Sequence, residues 1–409
     1  MKFNLKFKTK FSIDSYIEFS SVLALFLQGA YTQDYAIDLK LFYFVIIINS
    51  ILLYSKHNIK LHKYLFLSLL FVVMHAVLSY SICSISWVLW IKQVVGISFF
   101  AIYYYNVFSL FNIEKLFKIY LRLSVFFCIL AIVLFQFDFL LQSSERLDGL
   151  MSEPSVYVYL NIPALFYFIK SKNWVPALLL LVSFVLAQSS IGFISIIVML
   201  LFLIIRKSTI KYLGFSIIPL LILFFYVKNN EYFKPRFDSV IENLKVYETN
   251  KIREGVNISS FVLIKSSYIV YQNFIEHPLG TGIGSFEHQH DIYLKGLEMP
   301  KFIRILKIYE LNKFDANSLF LRGLSDFGVF WIVFVFFICW LGFYANSIKY
   351  NNETQKSICI SAFIYILIYL IRGGHYFPEE MFFFVFMFFF NLPKFKFVKK
   401  QNTLNTKPL

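Results

Sequence analysis

Charged residues are scarce in this sequence. Asp, Glu, Lys and Arg make up 15% of its 409 residues, whereas hydrophobic residues make up 58%. A soluble domain carries about a quarter charged residues, and a core bounded by water cannot hide so much apolar surface. The composition therefore excludes an ordinary soluble protein. It predicts an all-α integral membrane protein, a single polytopic domain over residues 1–409, because lipid offers backbone groups no hydrogen-bond partners.

Cysteine is also rare. The four cysteines, Cys83, Cys128, Cys339 and Cys359, lie mostly inside apolar stretches. Their spacing matches neither a disulfide framework nor a metal-binding pattern. We therefore expect no structural disulfide, no metal site and no other cofactor.

Apolar runs, by contrast, recur along the chain, and many reach the roughly 17–25 residues that a helix needs to cross a bilayer. The stretch from Trp174 to Ile205 is interpreted as two short spans, because the polar Gln188, Ser189 and Ser190 supply a turn. We predict about twelve membrane-spanning helices, near residues 14–30, 37–54, 64–82, 87–108, 119–138, 156–169, 174–187, 189–205, 212–228, 318–345, 357–371 and 378–393.

Acidic residues are outnumbered by basic ones, 24 against 39, which gives a formal net charge of +15. The basic residues gather in the loops on one side of the predicted helix bundle, whereas the short loops of the other side contain only Arg146 and Arg372. This asymmetry follows the positive-inside rule and predicts that both termini are cytoplasmic. Topology thus explains the positive charge, and no nucleic-acid partner is expected.

One polar segment interrupts the apolar pattern. Residues 229–315 lie between predicted spans 9 and 10 on the non-cytoplasmic side, where long loops escape the charge rule. Residues 256–276 and 298–313 have amphipathic helical spacing and predict two helices near the membrane surface. The Gly-rich turn at 278–284 separates them. A loop this long is usually functional or disordered, and its amphipathic helices favour function.

Three motifs fall on the same non-cytoplasmic side, at residues 146–155 (RLDGLMSEPS), 277–284 (HPLGTGIG) and 315–328 (DANSLFLRGLSDFG). They resemble the R-x-x-G-x-x-x-x-P segment, the P-x-G-x-G turn and the segment before the following span in the O-antigen ligase and polymerase superfamily. The similarity in span order covers most of the chain, whereas the motifs cover about 30 residues. It implies a membrane glycosyltransferase of GT-C-like architecture in the inner membrane of a bacterium.

Two departures from the ligases favour the O-antigen polymerases (Wzy-type). The ligases typically carry a His-Asn pair where this chain has Ala316 and Asn317, and a Ser-Arg pair where it has Ser189 and Ser190. The resemblance then implies polymerisation of undecaprenyl-diphosphate-linked repeat units at the periplasmic face, as in lipopolysaccharide O-antigen biosynthesis. It also implies an inner-membrane chain-length regulator as a partner.

Two alternatives remain open at this stage. An O-antigen ligase, which transfers finished polymer to lipid A-core, is one. The other is a flippase or transporter of lipid-linked glycans, suggested by the polar residues Glu18, His75 and Lys92 in the early spans. Transporters usually show repeated halves and short loops, and the sequence shows neither.

The implied reaction defines the side chains to look for. A lipid diphosphate leaves with growing negative charge, which preformed cationic groups stabilise. Arginine binds phosphate oxygens in pairs, so Arg146, Arg372 and Arg322 are candidate catalytic residues. Each could instead anchor a helix end.

A base must also take the proton of the attacking sugar hydroxyl. Asp315, Glu153, His290 and Asp291 are candidate bases, and Asp315 and Glu153 are assigned as the catalytic ones. A further set, Arg253, Asn317, His290 and Gly149, is predicted to bind substrate. The run 287–291 contains two histidines but lacks a third ligand at fixed spacing, so no metal is assigned to it.

Overall fold

A computed structural model of the protein describes residues 12–29, 31–32, 39–83, 87–137, 146–204, 234–376 and 378–393. This part of the chain is almost entirely helical, as the hydropathy pattern predicts. The exception is a two-stranded antiparallel ladder in which β1 (Tyr31–Thr32) pairs with β2 (Leu39–Lys40). The predicted span at 212–228 lies outside the described residues.

Up to residue 204, the described residues form eight helices: α1 (Ile13–Leu23), α2 (Leu41–Lys56), α3 (Lys63–Cys83), α4 (Trp87–Leu110), α5 (Ile113–Phe137), α6 (Pro154–Lys170), α7 (Trp174–Ala187) and α8 (Ser190–Ile204). Gln188 stands between α7 and α8 in the left-handed region, with φ 43°. The polar patch there ends one helix and allows the next to begin, as predicted.

The remaining helices are α9 (Lys234–Glu242), α10 (Val246–Thr249), α11 (Ile258–Glu276), α12 (Phe286–Tyr293), α13 (Lys301–Ile305), α14 (Leu319–Phe327), α15 (Val329–Ser347), α16 (Glu353–Arg372) and α17 (Glu379–Asn391). Short 3₁₀ turns occupy Ala24–Phe26, Leu294–Gly296 and Ile308–Glu310. We call residues 234–316 the loop segment.

Among the described residues, five helices are long and apolar enough to cross a membrane: Lys63–Ser81, Trp90–Leu110, Ile113–Gln136, Val329–Ser347 and Glu353–Arg372. Several large apolar side chains on α15 face outwards, among them Val333 (63% exposed), Phe336 (72%) and Trp340 (60%). Water would oppose such a surface, whereas lipid accepts it. The fold is therefore compatible with a membrane location.

Helix α16 lies at the centre of the bundle. It packs against α6, α8, α14, α15 and α17, and Ile360, Phe363 and Tyr365 on it are fully buried. A second, smaller core fills the loop segment around Phe261, Ile269, Phe286 and Ile303. The loop segment is thus a folded unit that rests on the helix bundle.

The predicted amphipathic helix at 256–276 corresponds to α11, but the helix predicted at 298–313 is wrong. That region forms α13, a 3₁₀ turn and two residues with positive φ, Lys307 (52°) and Asn312 (56°). The buried Nζ of Lys265 donates to the carbonyls of Tyr309 (2.8 Å) and Leu311 (2.7 Å). Those carbonyls are therefore directed at an ammonium group on α11 rather than along a helix axis.

The predicted continuous helix at 318–345 is also wrong, because the chain breaks at Gly328 between α14 and α15. Gly328 has φ 55° and ψ −132°, which is not helical backbone. A Cβ atom there would lie 2.1 Å from the Pro278 carbonyl oxygen, and Val329 N donates to that same oxygen at 2.9 Å. The turn at 278–280 packs against Gly328, and its Pro278 carbonyl accepts the hydrogen bond from Val329 N at the point where a continuous helix would otherwise run.

Candidate active site

The glycine-rich turn at 278–284 wraps around a buried carboxylate, Asp326 on α14. Gly284 N donates to Asp326 Oδ2 at 2.8 Å, Ser285 Oγ donates to Oδ1 at 3.0 Å, and Tyr376 OH donates to Oδ2 at 2.9 Å. Burial raises the pKa of Asp326, while Arg322 and these donors oppose the shift. The sequence interpretation, a simple turn between two surface helices, missed this anchor.

Arg322 lies one turn before Asp326 and is 2% exposed. Its Nη1 donates to the Gly374 carbonyl oxygen at 2.8 Å, and its guanidinium carbon lies 4.5 Å from the centre of the Tyr376 ring. Its Nε is 4.0 Å from Asp326 Oδ2. These contacts fix the loop between α16 and α17 against α14, so the geometry gives Arg322 a positioning role.

Arg372 ends α16 and brings together two other residues singled out from the sequence. Its Nη1 donates to Asn317 Oδ1, and its Nη2 lies 3.3 Å from Glu153 Oε2. The Arg372 side chain remains 33% exposed and that of Glu153 55% exposed. Glu153 also accepts a hydrogen bond from Ser155 Oγ at 2.8 Å. The guanidinium is thus oriented by protein and still open to solvent.

Asp315 stabilises the turn that contains Asn317. Its Oδ1 accepts hydrogen bonds from Asn317 N (3.0 Å) and Asn312 Nδ2 (3.1 Å). Ala316 and Asn317 both have positive φ, 56° and 58°, a conformation that non-glycine residues adopt only with support. The carboxylate supplies that support.

His375 completes the group, although it was not among the residues predicted from the sequence. Its Nε2 lies 3.4 Å from Asp315 Oδ2, and its side chain is 61% exposed. The protein atoms around the ring and the positive charges of Arg322, Lys40 and Lys92 lower the pKa of His375, while the carboxylate of Asp315 opposes this shift. The imidazole is therefore neutral at pH 7, with an oriented face open to solvent.

We call Glu153, Asp315, Asn317, Arg372 and His375 the Arg372 cluster. Three chain regions far apart in sequence supply it: the start of α6, the turn before α14 and the end of α16. Four of its members were named from the sequence: Arg372 as a cation, Asp315 and Glu153 as candidate bases, and Asn317 as a substrate-binding residue. The signal that could have pointed to His375 is the Arg372-Gly373-Gly374-His375 run, since a Cβ on Gly374 would lie 2.6 Å from the Asp315 carbonyl oxygen.

Two predicted residues lie between α5 and α6, on the stretch that leads to Glu153. Arg146 is partly buried, and the neighbouring Leu147 N donates to the Leu186 carbonyl at 3.2 Å. Gly149 has φ 65°, and a Cβ there would lie 2.9 Å from Ala131 Cβ. The geometry of Gly149 therefore indicates close packing of this stretch against α5.

Arg253 and His290 belong to the loop segment, and no contact among the described residues joins them to the Arg372 cluster. Arg253 is exposed, and its backbone N donates to Asn243 Oδ1 at 2.8 Å. His290 is 1% exposed, with Nε2 3.1 Å from the Tyr309 carbonyl oxygen. Burial lowers the pKa of His290, and nearby Lys265 adds to that shift.

Lys265 is an internal cation that the sequence interpretation overlooked. It is fully buried on α11. Desolvation lowers the pKa of Lys265 to about 7, while Asp315 raises it. Through the carbonyls of Tyr309 and Leu311 its ammonium group fixes the chain that leads into Asp315.

The polar residues that suggested a transporter have nearby partners. Glu18 forms an ion pair with Lys115. His75 Nε2 lies 3.0 Å from the Leu279 carbonyl oxygen of the glycine-rich turn. Lys92 is close enough to His375 to influence its protonation. These polar groups therefore stabilise the bundle or contribute charge beside the cluster.

The described residues offer little for a metal. Within the ranges given above, no three His, Cys, Asp or Glu side chains gather in an arrangement that could hold a metal ion. The chemistry available at the Arg372 cluster is a guanidinium for an anion and an imidazole beside a carboxylate for a proton.

No family model, curated protein or solved structure matches this chain.

Proposed function

We propose that this protein is an O-antigen polymerase, a membrane glycosyltransferase that joins undecaprenyl-diphosphate-linked repeat units. In this proposal the chain crosses the bacterial inner membrane about twelve times with both termini cytoplasmic. The loop segment and the Arg372 cluster face the periplasm, and a chain-length regulator is a partner. The proposal depends on one observation. The partly exposed guanidinium of Arg372 lies in the same hydrogen-bonded cluster as the Asp315–His375 pair.

Arg372 fits the diphosphate of the donor. A guanidinium binds carboxylate and phosphate oxygens with the same paired geometry, so the carboxylate of Glu153 stands where a phosphate would bind. Asn317 holds the guanidinium in place while Glu153 exchanges for the diphosphate. As the bond from the anomeric carbon to the diphosphate breaks, its electron pair leaves with the phosphate oxygen, and Arg372 stabilises the charge that develops.

His375 fits the acceptor side of the reaction. A hydroxyl of the incoming repeat unit attacks the anomeric carbon, and its proton passes to the neutral imidazole of His375. Asp315 holds the ring in orientation and stabilises the imidazolium that forms, as a carboxylate does beside histidine in hydrolases. The new glycosidic bond forms as the bond to the diphosphate breaks, so atoms and charges balance without a metal.

Cations near the cluster favour an anionic substrate. Lys40, Lys92 and Arg322 all lower the pKa of His375, which places their positive charge close to the imidazole. With Arg372 they make four cations beside the two carboxylates of the cluster, Glu153 and Asp315, and an excess of positive charge attracts anionic ligands. A lipid diphosphate carries the complementary charge.

An O-antigen ligase is the second candidate, and His375 is the observation that favours it. The sequence has Ala316 where the ligases typically carry a histidine before the asparagine. His375 brings an imidazole within 3.4 Å of Asp315, next to that position. The two candidates differ in the acceptor, lipid A-core for a ligase and a lipid-linked repeat unit for a polymerase.

Surface glycolipid analysis of a deletion strain separates these functions. Loss of a polymerase leaves lipopolysaccharide capped with a single repeat unit. Loss of a ligase leaves bare core and strands long polymer on its carrier, and loss of a flippase strands single repeat units on the cytoplasmic side. An unchanged ladder in the deletion strain removes this pathway from consideration.

Complementation then tests the cluster. Arg372→Ala should reproduce the deletion pattern at a normal protein level, because the leaving diphosphate loses its cation. Arg304→Ala is the matched control, since Arg304 is an exposed arginine of the loop segment. Ladders of normal length with Arg372→Ala would refute the assignment of the cluster.

A further inference from the structure

An apolar groove of about 620 Å³ separates the loop segment from the helix bundle. Side chains of α8, α15 and α16 line it on the bundle side, and side chains of α9, α10, α11 and α14 on the other. Its volume falls in the range of about 300–1,000 Å³ typical of small-molecule sites. The groove is thus large enough for part of a ligand and lies where the two cores of the molecule meet.

The few polar residues in its wall are satisfied within the protein. Asn243 Nδ2 donates to the Ser239 carbonyl at 2.8 Å, Ser318 Oγ donates to the Leu370 carbonyl at 3.0 Å, and Ser267 Oγ donates to the Ile264 carbonyl at 2.9 Å. Their hydrogen-bonding groups are therefore turned to the protein. The groove therefore presents apolar surface, which is complementary to an apolar ligand.

One end of the groove adjoins the Arg372 cluster. Ser318 in its wall follows Asn317, and Ile371 in its wall precedes Arg372. Successive Cα atoms are 3.8 Å apart, so the backbones of Asn317 and Arg372, whose side chains are hydrogen-bonded to each other, lie next to the groove wall. A ligand that fills both places has an anionic head and a long hydrocarbon tail.

The opposite wall reaches the lipid-facing surface. Helix α15 contributes Val335 and Cys339 to the groove and exposes Val333 and Phe336 on its outer side. Leu244 and Leu263 across the groove are 58% and 40% exposed. Apolar surface is thus present both in the groove and on the outer side of α15, the side that would face lipid.

We propose that this groove binds the first isoprene units of the polyprenyl carrier and so aligns the diphosphate with Arg372. The inference rests on the proposed function for the identity of the lipid. It adds a binding site for the carrier chain, made by α15, α16 and the loop segment together. Truncated carriers should then lose rate as well as affinity, because binding energy from the remote chain positions the reacting centre.

Cys339 provides a native probe of the groove. In protein reconstituted into phosphatidylcholine vesicles, a small apolar maleimide should label Cys339 more slowly when undecaprenyl monophosphate is present. We expect at least about a fivefold reduction, which corresponds to about 1 kcal/mol of differential binding. Cys83 on α3 is the internal control and should react equally with and without the carrier.

The comparison lipids decide what occupies the groove. Inorganic diphosphate should not protect Cys339, since it has a head and no tail. Undecaprenol should protect less well than its monophosphate, since it has the tail without the charge. If phosphatidylglycerol protects Cys339 equally well, the groove binds ordinary membrane lipid. If the labelling rate of Cys339 is the same with and without undecaprenyl monophosphate, the carrier does not bind in the groove. Either result overturns the proposal.

Groove-filling variants link the site to turnover. Val335→Trp should weaken carrier protection of Cys339 and raise the KM for the lipid-linked donor. The control, Val333→Trp, places the same side chain on the outer face of α15 and should leave both unchanged. Protection of Cys339 in a protein that forms no polymer would refute the proposed function alone, whereas polymer formation without protection would refute the groove alone.

Discussion

Arg372 Nη2 and Glu153 Oε2 lie 3.3 Å apart, although 219 positions separate the two residues in the chain. The contact joins the start of α6 to the end of α16. Neither side chain is buried, so the pair contributes at most about 1 kcal/mol to stability. Its importance is chemical, because a carboxylate holds the orientation in which a guanidinium can meet a phosphate.

Replacement of Arg372 tests the cation. In an assay with purified protein and a synthetic lipid-linked repeat unit, Arg372→Ala should lower kcat by about 10²–10³-fold, the cost of removing one preformed donor from a developing negative charge. Arg372→Lys should recover only part of this loss, since an ammonium lacks the paired geometry. Equal kcat values for wild type and Arg372→Ala would contradict the assignment, and Arg304→Ala controls for loss of an exposed charge.

Replacement of Glu153 should have the opposite effect on donor binding. The carboxylate competes with the diphosphate for Arg372, so Glu153→Gln should lower the KM for the donor by up to about fivefold, the value of an exposed ion pair. Asn317 keeps the guanidinium in place, and kcat should change little. A large fall in kcat would instead indicate that Glu153 takes part in proton transfer.

The pH profile tests His375. Because the pKa of His375 is lowered, kcat/KM should fall only below the usual pH range of histidine titration, as the ring takes up a proton. Asp315→Asn removes the charge that raises this pKa, so the acidic limb should move to lower pH while the rate falls. His375→Gln should lower kcat by about 10²–10⁴-fold, the usual contribution of a general base. If the acidic limb of the profile stays at the same pH in Asp315→Asn, Asp315 does not influence the protonation of His375 and the prediction is wrong.

Lys265 should make the stability of the loop segment depend on pH. The pKa of Lys265 is lowered to about 7 in the folded protein, whereas an unfolded lysine titrates near 10.4. Between these values the unfolded state binds more protons, so stability rises with pH by up to about 1.36 kcal/mol per unit. Hydrogen exchange of α11 in detergent should slow from pH 7 to 9 relative to the intrinsic rate. Lys265→Met should abolish the trend, and a trend retained in that variant would assign it to another group.

Gly328 should be intolerant of a side chain. Gly328→Ala places a Cβ 2.1 Å from the Pro278 oxygen at a positive φ, so both contact and backbone strain oppose it. Gly255→Ala is the matched control, because Gly255 also has positive φ (79°) but no atom within 4 Å of the added Cβ. Gly328→Ala should lower the melting temperature in detergent clearly more than Gly255→Ala, and similar values would contradict the packing argument.

Hydropathy predicted the helices between residues 13 and 204 well where the structure describes them, because a run of apolar residues has few alternatives in lipid. It failed at 318–345, where composition stays apolar through Gly328 and only the contact with Pro278 explains the break. It failed again at 298–313, since the spacing there is helical while Lys265 binds the carbonyls. In both places a tertiary contact overrides the local pattern.

The candidate site was predictable in its parts. The charge rule singled out Arg372, and the motifs singled out Asn317 and Glu153, but no local pattern states that the three meet. His375 was missed because its chemistry depends on Asp315, which lies on another segment. The role of Arg322 also changes once its contacts with Gly374 and Tyr376 are known, because they leave its guanidinium enclosed by protein.

Arg322 of α14 donates a hydrogen bond to the carbonyl of Gly374, which follows α16. Arg372 of α16 donates a hydrogen bond to the side chain of Asn317, which precedes α14. These two reciprocal contacts link α14 and the turn before it to the end of α16 and the loop after it. Glu153 belongs to a third segment, the start of α6, and contacts Arg372 through an exposed carboxylate. In the proposed reaction, a change in the Glu153 side chain alone would free Arg372 for the phosphate headgroup, with no separation of the helices.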